Sequence, residues 1–169
     1  KEERTYTYDD VSGMLTVEAV IVYDASENII EKENINYTYN VVGKLVSQTN
    51  QLYVIIEDIE YLTTETVTTN SYNDEEVLIR KSEKVTSYYD AAIKDSKEII
   101  EEYDIHGRLI TKTTISDSYS SGGTLSTREQ ITEDYDELGR LINQETANYT
   151  ATGGELSAVA SSRIVKSNF

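Results

Sequence analysis

One spacing constrains this chain more than any other feature. An aromatic residue is followed six positions later by an aliphatic one at Tyr23/Ile29, Tyr39/Leu45, Tyr72/Leu78, Tyr103/Leu109, Tyr119/Leu125 and Tyr135/Leu141. Tyr8/Leu15 and Tyr149/Leu156 carry one extra residue, and Ile56/Leu62 keeps the spacing without the Tyr. The unit is about 16 residues long, too short to enclose a core of its own, so its copies must pack against one another as an array. The fullest copies are Tyr103-Asp104-Ile105-His106-Gly107-Arg108-Leu109 and Tyr135-Asp136-Glu137-Leu138-Gly139-Arg140-Leu141, with Tyr39-Asn40-Val41-Val42-Gly43-Lys44-Leu45 a conservative variant. Asp or Asn followed three residues later by Gly forms a type I turn, and Gly there takes the left-handed conformation that closes a bulged hairpin.

Between turns the residues alternate. Leu109, Thr111, Thr113, Ile115, Asp117 and Tyr119 share one parity, and Leu125, Thr127, Glu129, Ile131, Glu133 and Tyr135 share it in the next unit. Parity of this kind marks strands and predicts that each opens with Leu and closes with Tyr on one face. Short connections make neighbouring strands antiparallel. The expected fold is therefore all-β, a repetitive antiparallel meander of about ten long strands forming a twisted or wrapping β-ribbon over residues 1–169 as a single array. Tyr8, Tyr39, Tyr72, Tyr103 and Tyr135 lie 31 to 33 residues apart. The turns are accordingly expected to alternate in kind, with looser ones after Tyr119 and across Tyr149-Thr150-Ala151-Thr152-Gly153-Gly154. Leu52, Val54, Ile55, Ile56 and Ile59 suggest local burial on two sides, and Tyr89 to Glu98 breaks the spacing, which predicts a longer turn with a short helical piece.

Composition fits strands and a thin core, with 14 Tyr, one Phe, one Met, no Trp and no Pro. A formal charge of −16 disfavours nucleic acid and anionic membrane surfaces as partners. No apolar run reaches the roughly 20 residues of a membrane helix, and Lys1-Glu2-Glu3-Arg4 is not a signal peptide. Polar mid-strand residues such as Lys112, Thr114, Arg128, Gln130, Gln144 and Thr146 argue against a lipid-facing barrel. No membrane span is expected. The absence of Cys removes disulfides and thiolate chemistry.

The recurring residues build turns and strands rather than reaction centres. The single histidine, His106, sits inside a turn where sister turns carry Leu138 and Val42, so neither a triad nor a metal site forms around it. Acidic clusters at Glu101-Glu102-Tyr103-Asp104 and Glu133-Asp134-Tyr135-Asp136-Glu137 offer oxygens for Ca²⁺ but lack the spacing of a calcium loop, and solvated acids are the better reading. No catalytic, cofactor or metal residue is expected. The repeated tyrosines could form a sugar-binding ladder, but their fixed place at strand ends better fits packing beside the turns.

The two complete Tyr-Asp-x-x-Gly-Arg-Leu units resemble the YD repeat of the RHS family of secreted and surface polypeptides. That resemblance implies a long β-ribbon serving as scaffold or shell, and hence a non-catalytic structural module of a secreted or cell-surface bacterial polypeptide, excised or processed from a longer chain and flanked by further repeats. Its structural turn residues would be Tyr39, Asn40, Gly43 and Leu45; Tyr103, Asp104, Gly107, Arg108 and Leu109; and Tyr135, Asp136, Gly139, Arg140 and Leu141. The strand-like first and last segments supply a second expectation, self-association of copies through open strand edges as a filament, sheath or adhesin subunit. A glycan-active enzyme is the third and least supported reading.

Overall fold

The computed structural model describes residues 1–152 and 155–165. Eleven strands follow in chain order: β1 (Glu2–Tyr8), β2 (Leu15–Tyr23), β3 (Ile29–Tyr39), β4 (Leu45–Ile56), β5 (Ile59–Tyr72), β6 (Leu78–Tyr89), β7 (Ala92–Tyr103), β8 (Leu109–Tyr119), β9 (Leu125–Tyr135), β10 (Leu141–Thr152) and β11 (Glu155–Val165). Each pairs antiparallel with its sequence neighbours, giving one open meander sheet in the order β1 to β11. No helix occurs among the described residues. Element-to-element packing runs between consecutive strands, so the sheet is a single layer.

A single layer explains the thin core. Among the described residues Val20 is the one buried apolar side chain, while most strand residues are half-buried by their lateral neighbours. Stability therefore rests on the hydrogen-bond ladders and on cross-strand side-chain pairs, each worth about 0.2–1 kcal/mol.

Every one of the ten hairpins repeats the same device. A Tyr near the end of one strand faces an aliphatic residue near the start of the next, and the residue after that aliphatic is extra, forming a β-bulge. Tyr103 pairs with Leu109, Glu102 pairs with Thr111, and Ile110 is left over. Tyr8↔Leu15, Tyr23↔Ile29, Tyr39↔Leu45, Tyr72↔Leu78, Tyr119↔Leu125 and Tyr135↔Leu141 do the same. The rule also holds in the hairpins that the six-residue spacing describes poorly, where the pairs are Tyr53↔Leu62, Tyr88↔Ile93 and Tyr149↔Ala158.

The bulge overturns the expectation that Leu and Tyr of one strand share a face. An extra residue reverses side-chain alternation. Leu109 lies on the face of Tyr103, whereas Ile115 and Tyr119 lie on the opposite face, and the same split separates Leu125 from Ile131 and Tyr135. Tyr8, Tyr39, Tyr72, Tyr103 and Tyr135 therefore share one face along one turn edge. Tyr23, Tyr53, Tyr88, Tyr119 and Tyr149 share the other face along the opposite edge. Successive Tyr–aliphatic pairs thus alternate in both face and edge, which accounts for a 16-residue unit inside a doubled period.

Three local expectations are corrected. The chain turns between Tyr89 and Ala92 by a two-residue reversal at Asp90 and Ala91, both with positive φ, rather than by a longer turn with helix. Ile56 and Ile59 flank a similar reversal at Glu57 and Asp58, and they are exposed at its tip rather than buried. Turns do not alternate strictly in kind, because Asp24–Asn28 and Ser120–Thr124 on the second edge have the same closing backbone bonds as the first-edge turns. The looser turn placed from Tyr149 onward falls partly within β10, which runs to Thr152, and its Gly153 and Gly154 lie outside the described residues.

Candidate functional site

The turn residues singled out from sequence do come together. In the turn after β7 the Asp104 Oδ1 accepts the backbone N–H of His106 at 2.8 Å and of Arg108 at 3.0 Å. Its Oδ2 accepts Arg108 Nε at 2.7 Å and pairs with Arg108 Nη2 at 2.7 Å. The turn after β9 repeats this with Asp136, Leu138 and Arg140. Asn40 accepts the N–H of Val42 and Lys44 in the same way. Gly43, Gly107 and Gly139 have φ of 86°, 78° and 74°, the left-handed conformation expected of them. In two sister turns that place is held by Glu27 (φ 65°) and Glu76 (φ 61°).

These bonds set the local electrostatics. The backbone N–H and the guanidinium of Arg108, with the N–H of His106, hold the Asp104 carboxyl down at about 2. Asp136 is lowered chiefly by the Arg140 side chain and then by its backbone N–H. Neighbouring turns on this edge also touch. Asn40 Nδ2 donates to Glu76 Oε2 at 3.1 Å, Lys44 Nζ donates to the Glu76 carbonyl and lies 5.2 Å from the Tyr72 ring centre. The carboxylates are thus committed to turn closure. No group of acidic and histidine side chains close enough to hold a metal ion occurs among the described residues, and His106 is exposed in its turn.

Sequence reasoning missed a second constellation. On the face that carries Tyr88 and Tyr119, directly opposed residues line up across six strands as Gln51, Glu65, Thr86, Ser96, Asp117 and Arg128. Thr86, Ser96 and Asp117 are the buried polar residues of the described chain, at 5–7% exposure. Asp117 Oδ1 and Oδ2 accept Arg128 Nε and Nη2 at 2.7 and 2.8 Å, a two-pronged ion pair. Beside this row, toward the turn edge, runs an apolar ledge on the same six strands: Tyr53, Leu62, Tyr88, Ile93, Tyr119 and Leu125. The Tyr53 hydroxyl donates to Gln51 Oε1 at 3.1 Å, so its ring leans from the ledge over the polar row. Burial first, and then the neighbouring Glu65, pushes the Tyr88 hydroxyl upward. The only sequence signal for this row was parity, and the bulges scrambled parity.

No family model and no curated protein matches the chain. Among solved structures, it is similar to a Bacteroides fragilis protein of unknown function, at 11% identity and a TM-score of 0.32, over 95% of this chain and 91% of that one.

Proposed function

We propose that the chain is a non-catalytic structural β-repeat module of a secreted or cell-surface bacterial polypeptide, an RHS-like scaffold. The observation that carries this reading is the Tyr–aliphatic pair with its bulge, present in all ten hairpins. What the sequence repeats is what the sheet needs to propagate, and the conspicuous Asp, Arg and Gly of the turns are used in closing them. Protease shaving of intact source cells tests the location: loss of the protein from unlysed cells supports it, and full protection until lysis contradicts it.

A second reading, a self-assembling filament, sheath or adhesin subunit, is favoured by the outer strands. Every residue of β1 and of β11 is exposed, and each strand is paired on one side. Unpaired ladders of this kind accept another strand, from a neighbouring repeat or a second copy. Light scattering and electron microscopy on the purified chain separate these readings. Ordered polymers support the second; a monomer at tens of micromolar, the concentration range in which exposed edges normally betray themselves, favours the first.

A further inference from the structure

We infer that the face carrying Tyr53, Tyr88 and Tyr119 is a binding surface for an extended, neutral β-1,4-linked glycan. The inference goes beyond the scaffold reading, because three of the Tyr–aliphatic pairs that build hairpins also line up as neighbours on one face. Tyr53, Tyr88 and Tyr119 occupy β4, β6 and β8. Each lies two residues beyond the polar row, at Gln51, Thr86 and Asp117, so at about 4.8 Å per strand these positions recur about every 9.6 Å across the sheet, close to the disaccharide repeat of a β-1,4-linked chain, in which alternate pyranose rings present the same face. Leu62 and Ile93 fill the strands between and Leu125 continues the ledge onto β9, so it is a continuous apolar strip.

Alongside it the polar row supplies groups for hydroxyls. A depression of about 440 Å³ opens on this face, lined by Glu65, Val67, Lys84, Thr86, Tyr88 and Glu98 among others. It meets a cleft of about 620 Å³ at Ile93, which Tyr119 also lines. Glu98 Oε1 accepts the Ser82 hydroxyl at 2.7 Å, while Lys84 has no ion-pair partner among the described residues. Aromatic faces beside carboxylates and an ammonium suit sugars, whose rings are apolar on their faces and polar at their rims. Both recesses are open on a single-layer sheet, which favours an extended polymer over a small enclosed ligand. The charge of −16 selects against polyanionic glycans.

Calorimetry on the full chain with cellohexaose and xylohexaose tests this, with maltohexaose and heparin as comparators. At least one β-1,4-linked hexasaccharide is expected to bind. Tyr119→Ala and Tyr88→Leu, which keeps the apolar pairing with Ile93, should each weaken it at least about tenfold, the order of one lost ring contact. Glu98→Gln should weaken it as well. Tyr103→Ala, on the opposite face with the same packing role, should leave affinity unchanged in the folded protein, as read by circular dichroism. No binding of either β-1,4-linked probe, equal binding of maltohexaose or heparin, or an equal loss in Tyr103→Ala overturns the proposal.

Discussion

Tyr103 stands directly across from Leu109, and its hydroxyl reaches back along its own strand to donate to Glu101 Oε2 at 2.9 Å. The ring thus joins an apolar cross-strand pair to a charged acceptor on one face. Tyr135 repeats it with Leu141 and Glu133. Removing the ring while keeping the backbone, in Tyr135→Ala, should cost about 1–3 kcal/mol by loss of a half-buried aromatic. Urea denaturation measures this, and a change within about 0.5 kcal/mol, the range of an ordinary surface substitution, would contradict it.

The turn glycines make a paired prediction. Gly107→Val and Gly139→Val place a β-branched side chain at positive φ and should each destabilise by more than about 1 kcal/mol. Glu27 already occupies such a position, so Glu27→Gly should stabilise by about 1 kcal/mol or somewhat less. Opposite signs in thermal melting are the expected result.

Asp117 and Arg128 form the most buried ion pair of the described residues, with side-chain exposures of 7% and 30%. Arg128→Ala strands the Asp117 carboxylate between strands and should cost about 1.5–3 kcal/mol. Removing both charges in Asp117→Asn with Arg128→Gln should cost less than Arg128→Ala alone, because no uncompensated charge remains. Chemical denaturation of Arg128→Ala and of the double variant checks the order.

Stability should fall at both ends of the pH scale. Asp104, drawn from 3.8 to about 2 chiefly by the Arg108 N–H, binds its proton more weakly folded than unfolded. Its contribution is complete above the unfolded value and is lost as pH falls from about 4 to 2; Asp9, Asp24 and Asp136 shift in the same direction. Tyr103 moves the other way, from 10.0 to about 12, through burial and then its bond to Glu101. Its contribution is complete below 10 and is lost as pH rises to about 12, with Tyr23, Tyr37, Tyr88 and Tyr135 raised alongside it. Melting temperature against pH should show both flanks, and Tyr103→Phe should soften the alkaline one.

Much of the architecture was legible because the Tyr-to-Leu spacing reports a physical contact. Tyr39 and Leu45, Tyr103 and Leu109, and Tyr135 and Leu141 are cross-strand partners, and the Asp or Asn and Gly between them close the turn. The bulge beyond each aliphatic partner was not legible, because its extra residue is mostly β-branched, as at Thr16, Ile30, Val46, Ile79, Ile110 and Ile142, which is what an ordinary strand position also prefers. Tyr53↔Leu62 and Tyr88↔Ile93 escaped notice because their hairpins run on past the pair before reversing at residues that lack Gly. The polar row from Gln51 to Arg128 is assembled from six strands and follows only once every bulge is placed.

The central claim is that a bulge after each Tyr–aliphatic pair turns a uniform repeat into a two-faced sheet. Cross-strand backbone contacts measured by nuclear Overhauser effects in the β7–β8 hairpin test it most directly. Contacts pairing Tyr103 with Leu109 and Glu102 with Thr111, with Ile110 unpaired, are the result the account predicts. Glu102 facing Ile110 in an unbroken ladder, with Leu109 and Ile115 on one face, would contradict it.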